Sequence, residues 1–214
     1  AILGLSSIAF LIGGDARRCA VTSACLGAFL PILFDWHLAV PVVGAALLLA
    51  TFLSYPPWRT LFGWRWSLPL ILMSATIVLG VVAFQSLLLK QRDGGFGWGT
   101  LPGSEYGPAV VLVVIVVAAT VNSLFEELLW RAGLPLLFSN EGRLVGQWVY
   151  LSTCFGLSHI HGTPDGILGV TSTIVFGLAM CIVRYFSGGS IWWAVAIHFA
   201  ADVVLIGALY GIEL

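Results

Sequence analysis

Ionisable residues occur inside three apolar stretches of the chain: Glu126, Glu127 and Arg131 in Ser123-Leu-Phe-Glu-Glu-Leu-Leu-Trp-Arg131, His159 at the end of a run containing Phe155, and His198 with Asp202 in a late one. An Asp, Lys or Arg at the middle of a membrane helix costs roughly 2.5–3.5 kcal/mol on insertion scales. Such residues normally face a cavity and serve a function. Carboxylates and imidazoles brought together in that setting can move protons and activate water. Glu127 and Arg131 stand four apart, acid before base, and are expected to pair on one helical face. Glu126 is turned about 100 degrees from Glu127 on an α-helix and shares its face with Asn122 and Trp130, which leaves its carboxylate for reactive work. The same four-residue spacing joins Phe155 to His159 and His198 to Asp202. Asp202 is expected to accept a hydrogen bond from one His198 nitrogen and fix its tautomer, with Phe155 walling the site. The catalytic candidates are therefore Glu126, His159, His198 and Asp202, supported by Glu127, Arg131 and Phe155. Stability alone is a poor reason for three helices each to bury an acid or imidazole, because buried pairs seldom offset their desolvation.

The elements that must position these groups are membrane helices. Of 214 residues 59% are hydrophobic and 9% charged, and the mean hydropathy is +1.03, where a soluble domain carries about 25% charged residues. The expected fold class is all-α, a polytopic transmembrane helical bundle of about eight spans: Ala1 to Gly13, Cys19 to Phe34, Leu38 to Tyr55, Trp66 to Leu89, Ala109 to Phe138, Leu144 to Ser158, Gly166 to Phe186 and Ile191 to Leu209. Residues 1–214 read as one membrane-embedded domain with its catalytic motifs in 122–202. The stretch Ala1 to Gly13 lacks a basic n-region and is followed by more membrane segments, so it reads as a first span rather than a cleavable signal. Short spans such as the sixth are tolerated where they are buried or open into a cavity. Trp36, Trp58, Trp64, Trp66 and Trp98 near span ends suit the membrane interface. The glycine-rich stretch Gln91 to Pro108 reads as a flexible connector, with a gate over the site as the alternative. Odd-numbered loops hold Arg17, Arg18, Arg59, Arg65, Arg143 and Arg184 and are expected on the cytoplasmic side.

A net charge of -1 without a basic run excludes nucleic-acid binding. Cys19, Cys25, Cys154 and Cys181 form no CxxC pair and read as small buried hydrophobes. Ser158 precedes His159, but neighbours on one helix do not face each other, which argues against a serine nucleophile. Only Asp202 with Glu126 offers an aspartyl-type pair. Glu126, His159, His198 and Asp202 are competent zinc ligands in principle. The H-E-x-x-H signature is nonetheless absent, and His161, next to Gly162, reads as a loop residue. No cofactor is expected. A zinc metalloprotease, a non-catalytic scaffold or immunity protein, and a transporter stay open as alternatives, although no inverted pair of broken helices is present.

Taken in order, E-E-x-x-x-R, F-x-x-x-H and H-x-x-x-D/N on successive helices resemble the motifs of the CPBP family, which includes CAAX prenyl endopeptidases and bacteriocin-processing or immunity proteins. Glu126, Glu127 and Arg131 match the first motif, Phe155 and His159 the second, and His198 and Asp202 the third. The resemblance implies a glutamate-type intramembrane endopeptidase in which Glu126 and His159 activate water while His198 and Asp202 bind the scissile carbonyl and its oxyanion. It also implies a membrane-associated protein or peptide substrate, with C-terminal tag, CAAX-like or bacteriocin-type processing, in a prokaryotic cytoplasmic membrane. CAAX-processing members commonly carry Asn at the position of Asp202, and a carboxylate cannot donate to an oxyanion. Asp202 is thus left either to orient His198 or to act protonated, and a prenylated substrate is less strongly implied.

Overall fold

Valine, with its branched side chain, is an indifferent helix former in water, yet Pro108-Ala-Val-Val-Leu-Val-Val-Ile-Val-Val is helical throughout. In hydrocarbon every backbone N–H and C=O must be satisfied within the segment, so the helix prevails over local preference. The computed structural model describes residues 61–63, 66–90, 107–137, 144–160 and 166–209. Within these lie α1 (Leu68–Lys90), α2 (Pro108–Glu126), α3 (Leu144–Leu157), α4 (Gly166–Phe186) and α5 (Trp192–Leu209), and no strand occurs among them. They correspond to the fourth to eighth expected spans. The first three expected spans, the Gln91 to Pro108 connector apart from its last two residues, His161, Cys19, Cys25 and the tryptophans other than Trp66 in the interface set lie outside the described residues.

Pro108–Gly133 and Gly166–Phe186 are long and apolar enough to cross a membrane, while α1, α3 and α5 contribute shorter apolar stretches. The five expected spans that fall within the described residues thus comprise two full-length candidates and three shorter apolar stretches. At about 1.5 Å per residue the 14 residues of α3 reach roughly 21 Å, short of a hydrocarbon core of about 30 Å. Burial runs opposite to a water-soluble fold. Leu112, Val113 and Val117 of α2 and Ile167 and Val175 of α4 stand exposed, whereas Glu127, Arg131, His198 and Asp202 are buried. Helix hydroxyls turn back onto their own turns: Ser74 donates to the Leu70 carbonyl at 2.7 Å and Thr120 to that of Val116 at 2.7 Å. This removes a polar group from hydrocarbon without a partner helix.

Helix α2 begins at Gly107, with Pro108 in the first turn where its missing N–H costs nothing. Past Glu126 the winding loosens into a π segment, Glu127–Gly133, all seven of whose residues are buried. The Leu134 amide reaches back to the Leu129 carbonyl, and a 3-10 turn, Leu134–Leu137, follows. Pro135 lacks the donor needed to continue an α-helix there. The expected span Ala109 to Phe138 is thus, as far as Leu137, a continuous run of three kinds of winding. Such wide turns inside α-helices are frequent at functional sites, and this one starts between the two glutamates.

The most extensive pairings are α3 with α4 and α2 with α5, while α1 backs onto α5 and α4. Glycines set the α3–α4 spacing. A Cβ on Gly177 would come within 3.1 Å of Phe155 and 3.2 Å of Ser152, and one on Gly156 would collide with the Ile174 side chain and come 2.6 Å from the Val170 carbonyl oxygen. Close approach through small residues is how membrane helices gain contact, since lipid supplies no hydrophobic push. Gly156→Ala is accordingly expected to lower stability by about 1–3 kcal/mol, the usual cost of overpacking, with the loss read as a lower Tm in detergent. Because backbone is what the new methyl meets, α3 must move, carrying Phe155 and His159 with it. The α4–α5 connection closes by a paired cap: Gly188, with φ 71°, donates to the Tyr185 carbonyl at 3.1 Å, and Gly189 donates to that of Arg184 at 2.9 Å. The Trp192 amide then donates to Ser190 Oγ at 3.3 Å at the start of α5.

Candidate active site

Two residues one turn apart on α2 meet two residues one turn apart on α5. Asn122 Nδ2 donates to Asp202 Oδ2 at 3.1 Å, and Glu126 Oε2 lies 3.4 Å from His198 Nε2. As α2 advances from 122 to 126, α5 runs back from 202 to 198, so the two helices are antiparallel and their polar rungs align. Glu127, at the start of the π segment, places Oε1 2.8 Å from His198 Nδ1. A carboxylate can only accept, so Nδ1–H donates.

His198 is therefore held from one side and exposed to acids on the other. Its Nε2 lies 3.4 Å from Glu126 and 3.6 Å from Asp202 Oδ1, the latter too long for a hydrogen bond. The sequence reading gave Asp202 the task of fixing the His198 tautomer. In the structure Glu127 has the short contact to the ring, and Asp202 is held instead by Asn122. With Nδ1 donating, an unprotonated Nε2 would turn its lone pair toward two carboxylates.

Arg131 Nη1 lies 3.2 Å from the same Glu127 oxygen, with side chains 2% and 0% exposed. The expected pair forms, but neither Nη1 nor Nη2 has a well-directed hydrogen bond among the described residues. Charge compensation comes also from the Phe155 ring, whose centroid lies 4.5 Å from the guanidinium carbon. Phe155 is 1% exposed and has ring contacts with Trp130 at 5.6 Å, His159 at 4.8 Å and His198 at 6.3 Å. It is the apolar wall foreseen from sequence and also the common neighbour of both histidines. From α4, Phe176 closes on His198 at 5.2 Å.

His159 lies just beyond α3, in the turn 158–160. Its Nδ1 is 2.9 Å from the Phe155 carbonyl oxygen. A carbonyl accepts, so Nδ1–H donates, and in the neutral ring Nε2 carries the lone pair. Ser158 Oγ, expected to face away, comes 3.3 Å from the same Nδ1, because the helix ends and both side chains fold back to one carbonyl. The hydroxyl donates to that oxygen at 2.7 Å. With Nδ1 engaged as a donor, His159 has no base to offer Ser158, and a serine nucleophile finds no support here.

The structure thus gathers Glu126, Glu127, Arg131, His198 and Asp202 into one contiguous cluster and attaches His159 to it through Phe155. Asn122 and Phe176 complete the surroundings of Asp202 and His198. The sequence placed Asn122 only on the Glu126 face and gave no signal for Phe176, which looks like any apolar residue of α4. Among the described residues, no three His, Cys, Asp or Glu side chains are grouped to hold a metal ion. Neither Cys181, which is buried, nor Cys154, which is half-buried, forms a disulfide.

No curated protein and no solved structure matches the chain. A family model described as Type II CAAX prenyl endopeptidase Rce1-like matches residues 108–204, the segment from the first turn of α2 to just past Asp202 that contains every residue of the cluster. Residues 108–204 are thus similar to a family of membrane-embedded endopeptidases, in agreement with the CPBP resemblance carried by the three motifs.

Proposed function

We propose that the chain hydrolyses a peptide bond of a membrane-associated protein or peptide by a glutamate-type mechanism, with Glu126 as the base that activates water. The observation that carries this reading is the state of Glu126. Its side chain is 15% exposed, and its buried Oε2 accepts no hydrogen bond among the described residues, while an imidazole held by Glu127 lies next to it. A carboxylate with unused accepting capacity in low dielectric is suited to taking a proton.

The Glu126 carboxylate removes a proton from water as the water oxygen bonds to the scissile carbonyl carbon. His159, anchored through Nδ1–H, offers Nε2 as a second acceptor to the same water. Charge that develops on the carbonyl oxygen meets His198, which in its doubly protonated form donates from Nε2. When the C–N bond breaks, the proton held by Glu126 passes to the leaving nitrogen. Asp202, unable to donate as a carboxylate, balances the charge of His198.

In this proposal residues 1–214 form a single multi-pass domain in a prokaryotic cytoplasmic membrane and use no cofactor. Processing of a C-terminal tag, of CAAX or bacteriocin type, is the substrate class carried by the family resemblance. Cleavage of a library of quenched peptides, with and without a C-terminal prenylcysteine, is measured with the purified chain in liposomes. His159→Ala is expected to lower kcat by roughly 10²–10⁴-fold, the usual contribution of a positioned acid–base group, and a chelator is expected to leave the wild type unchanged. Chelator-sensitive cleavage restored by zinc would replace this reading with a metalloprotease. A folded wild type that cleaves no member of the library would favour the scaffold or immunity reading.

A further inference from the structure

The partner that fixes Asp202 comes from a residue outside the three sequence motifs. Asn122 lies one turn before Glu126 on α2, and its amide nitrogen donates to Asp202 Oδ2 at 3.1 Å across the α2–α5 interface. Asp202 is buried, at 6% exposure, and its other oxygen, Oδ1, faces His198 Nε2 at 3.6 Å. A carboxylate turns about its Cβ–Cγ bond, so a donor fixed on one oxygen sets the direction in which the other faces the imidazole. Asn122 and Glu127 therefore act on His198 from opposite ends, Glu127 directly through Nδ1 and Asn122 through Asp202.

We propose that Asn122 is a positioning residue of the proteolytic site: its side-chain amide orients the Asp202 carboxylate, and through it the proton on His198 Nε2. The inference rests on the reading of His198 as the group that meets the developing oxyanion. Chemically it answers how a carboxylate serves where an amide would donate. Asn122 and Asp202 together still hold one amide and one acceptor, with the amide carried by the opposite helix. A neutral donor is suited to this task, because Asn122 leaves the negative charge on Asp202 in place to face His198.

The reciprocal arrangement provides the test, since exchanging the two side chains keeps the amide–carboxylate hydrogen bond and reverses its direction. Asn122→Ala is expected to lower kcat by roughly 10- to 100-fold, the size of effect seen when an outer partner of a catalytic group is removed, with KM little changed. Asn122→Asp, which sets two carboxylates against each other, is expected to be more impaired. The double variant N122D/D202N is expected to recover at least about tenfold over N122D, as a re-formed hydrogen bond requires. A direct readout needs no substrate. In 15N-histidine NMR of the full chain in detergent, N122A should shift the His198 Nε2 resonance while that of His159, identified by its loss in H159Q, stays in place. An unmoved His198 resonance in N122A, or an N122D/D202N double no better than N122D, overturns the proposal. Glu126→Gln, assayed beside them, separates the two levels. If E126Q is inactive while N122A matches wild type, only the role of Asn122 fails; if E126Q cleaves normally, the glutamate mechanism itself fails, and the NMR comparison still decides whether Asn122 governs His198.

Discussion

Glu126→Gln is expected to reduce kcat by about 10²–10⁴-fold, the contribution of a positioned general base, while the protein stays folded and KM changes little. The amide keeps the volume of the side chain, and the contact it alters is a 3.4 Å approach to His198 Nε2 rather than a short hydrogen bond. Nothing in the packing of α2 on α5 should therefore collapse. What disappears is the ability to accept a proton from water. Single-turnover cleavage in liposomes, compared with Tm of the same preparation, separates lost chemistry from lost fold. A variant that keeps wild-type single-turnover rates would remove Glu126 from the mechanism, whatever the substrate.

At Glu127 the expected loss is of stability and activity together, and the two can be separated. Its Oε1 serves Arg131 at 3.2 Å and His198 Nδ1 at 2.8 Å, so Glu127→Ala leaves a buried guanidinium without its anion and an imidazole without its acceptor. Breaking a buried pair from one side costs about 3–5 kcal/mol, which should appear as a large drop in Tm or in yield of folded protein. Replacing both members by apolar residues of similar size is often neutral. The double variant E127L/R131M is thus expected to regain much of the stability. It should not regain activity, because His198 Nδ1 still has no acceptor and the ring is free to turn; a deficit of roughly 10- to 100-fold is expected to persist. A double variant both stable and fully active would mean that Glu127 matters only as the partner of Arg131.

The helical class, the apolar character of the helices and the polar residues that cluster between them were readable from residue types and spacing. Charges are so costly in hydrocarbon that Glu126, Glu127, Arg131, His198 and Asp202 stand out against their valines and leucines, and the four-residue period puts Arg131 beside Glu127 by helix geometry alone. The boundaries of α1, α4 and α5 followed within a few residues from the ends of apolar runs. Local spacing describes only neighbours on one helix, however. The change to π winding at Glu127, the crossing of α2 with α5 and the glycine-set contact of α3 with α4 are decided by packing between segments far apart in the chain. That is why Asp202 looked like the natural partner of His198, four residues away, although the short bond comes from Glu127, seventy-one positions distant. It is also why Asn122 passed as a bystander: its amide has a task only once α5 brings Asp202 to it. Sequence determined which groups the bilayer forces inward, through the cost of leaving them in lipid, and tertiary structure decided which of those groups share each proton, because hydrogen bonds depend on distances that no spacing along one helix contains.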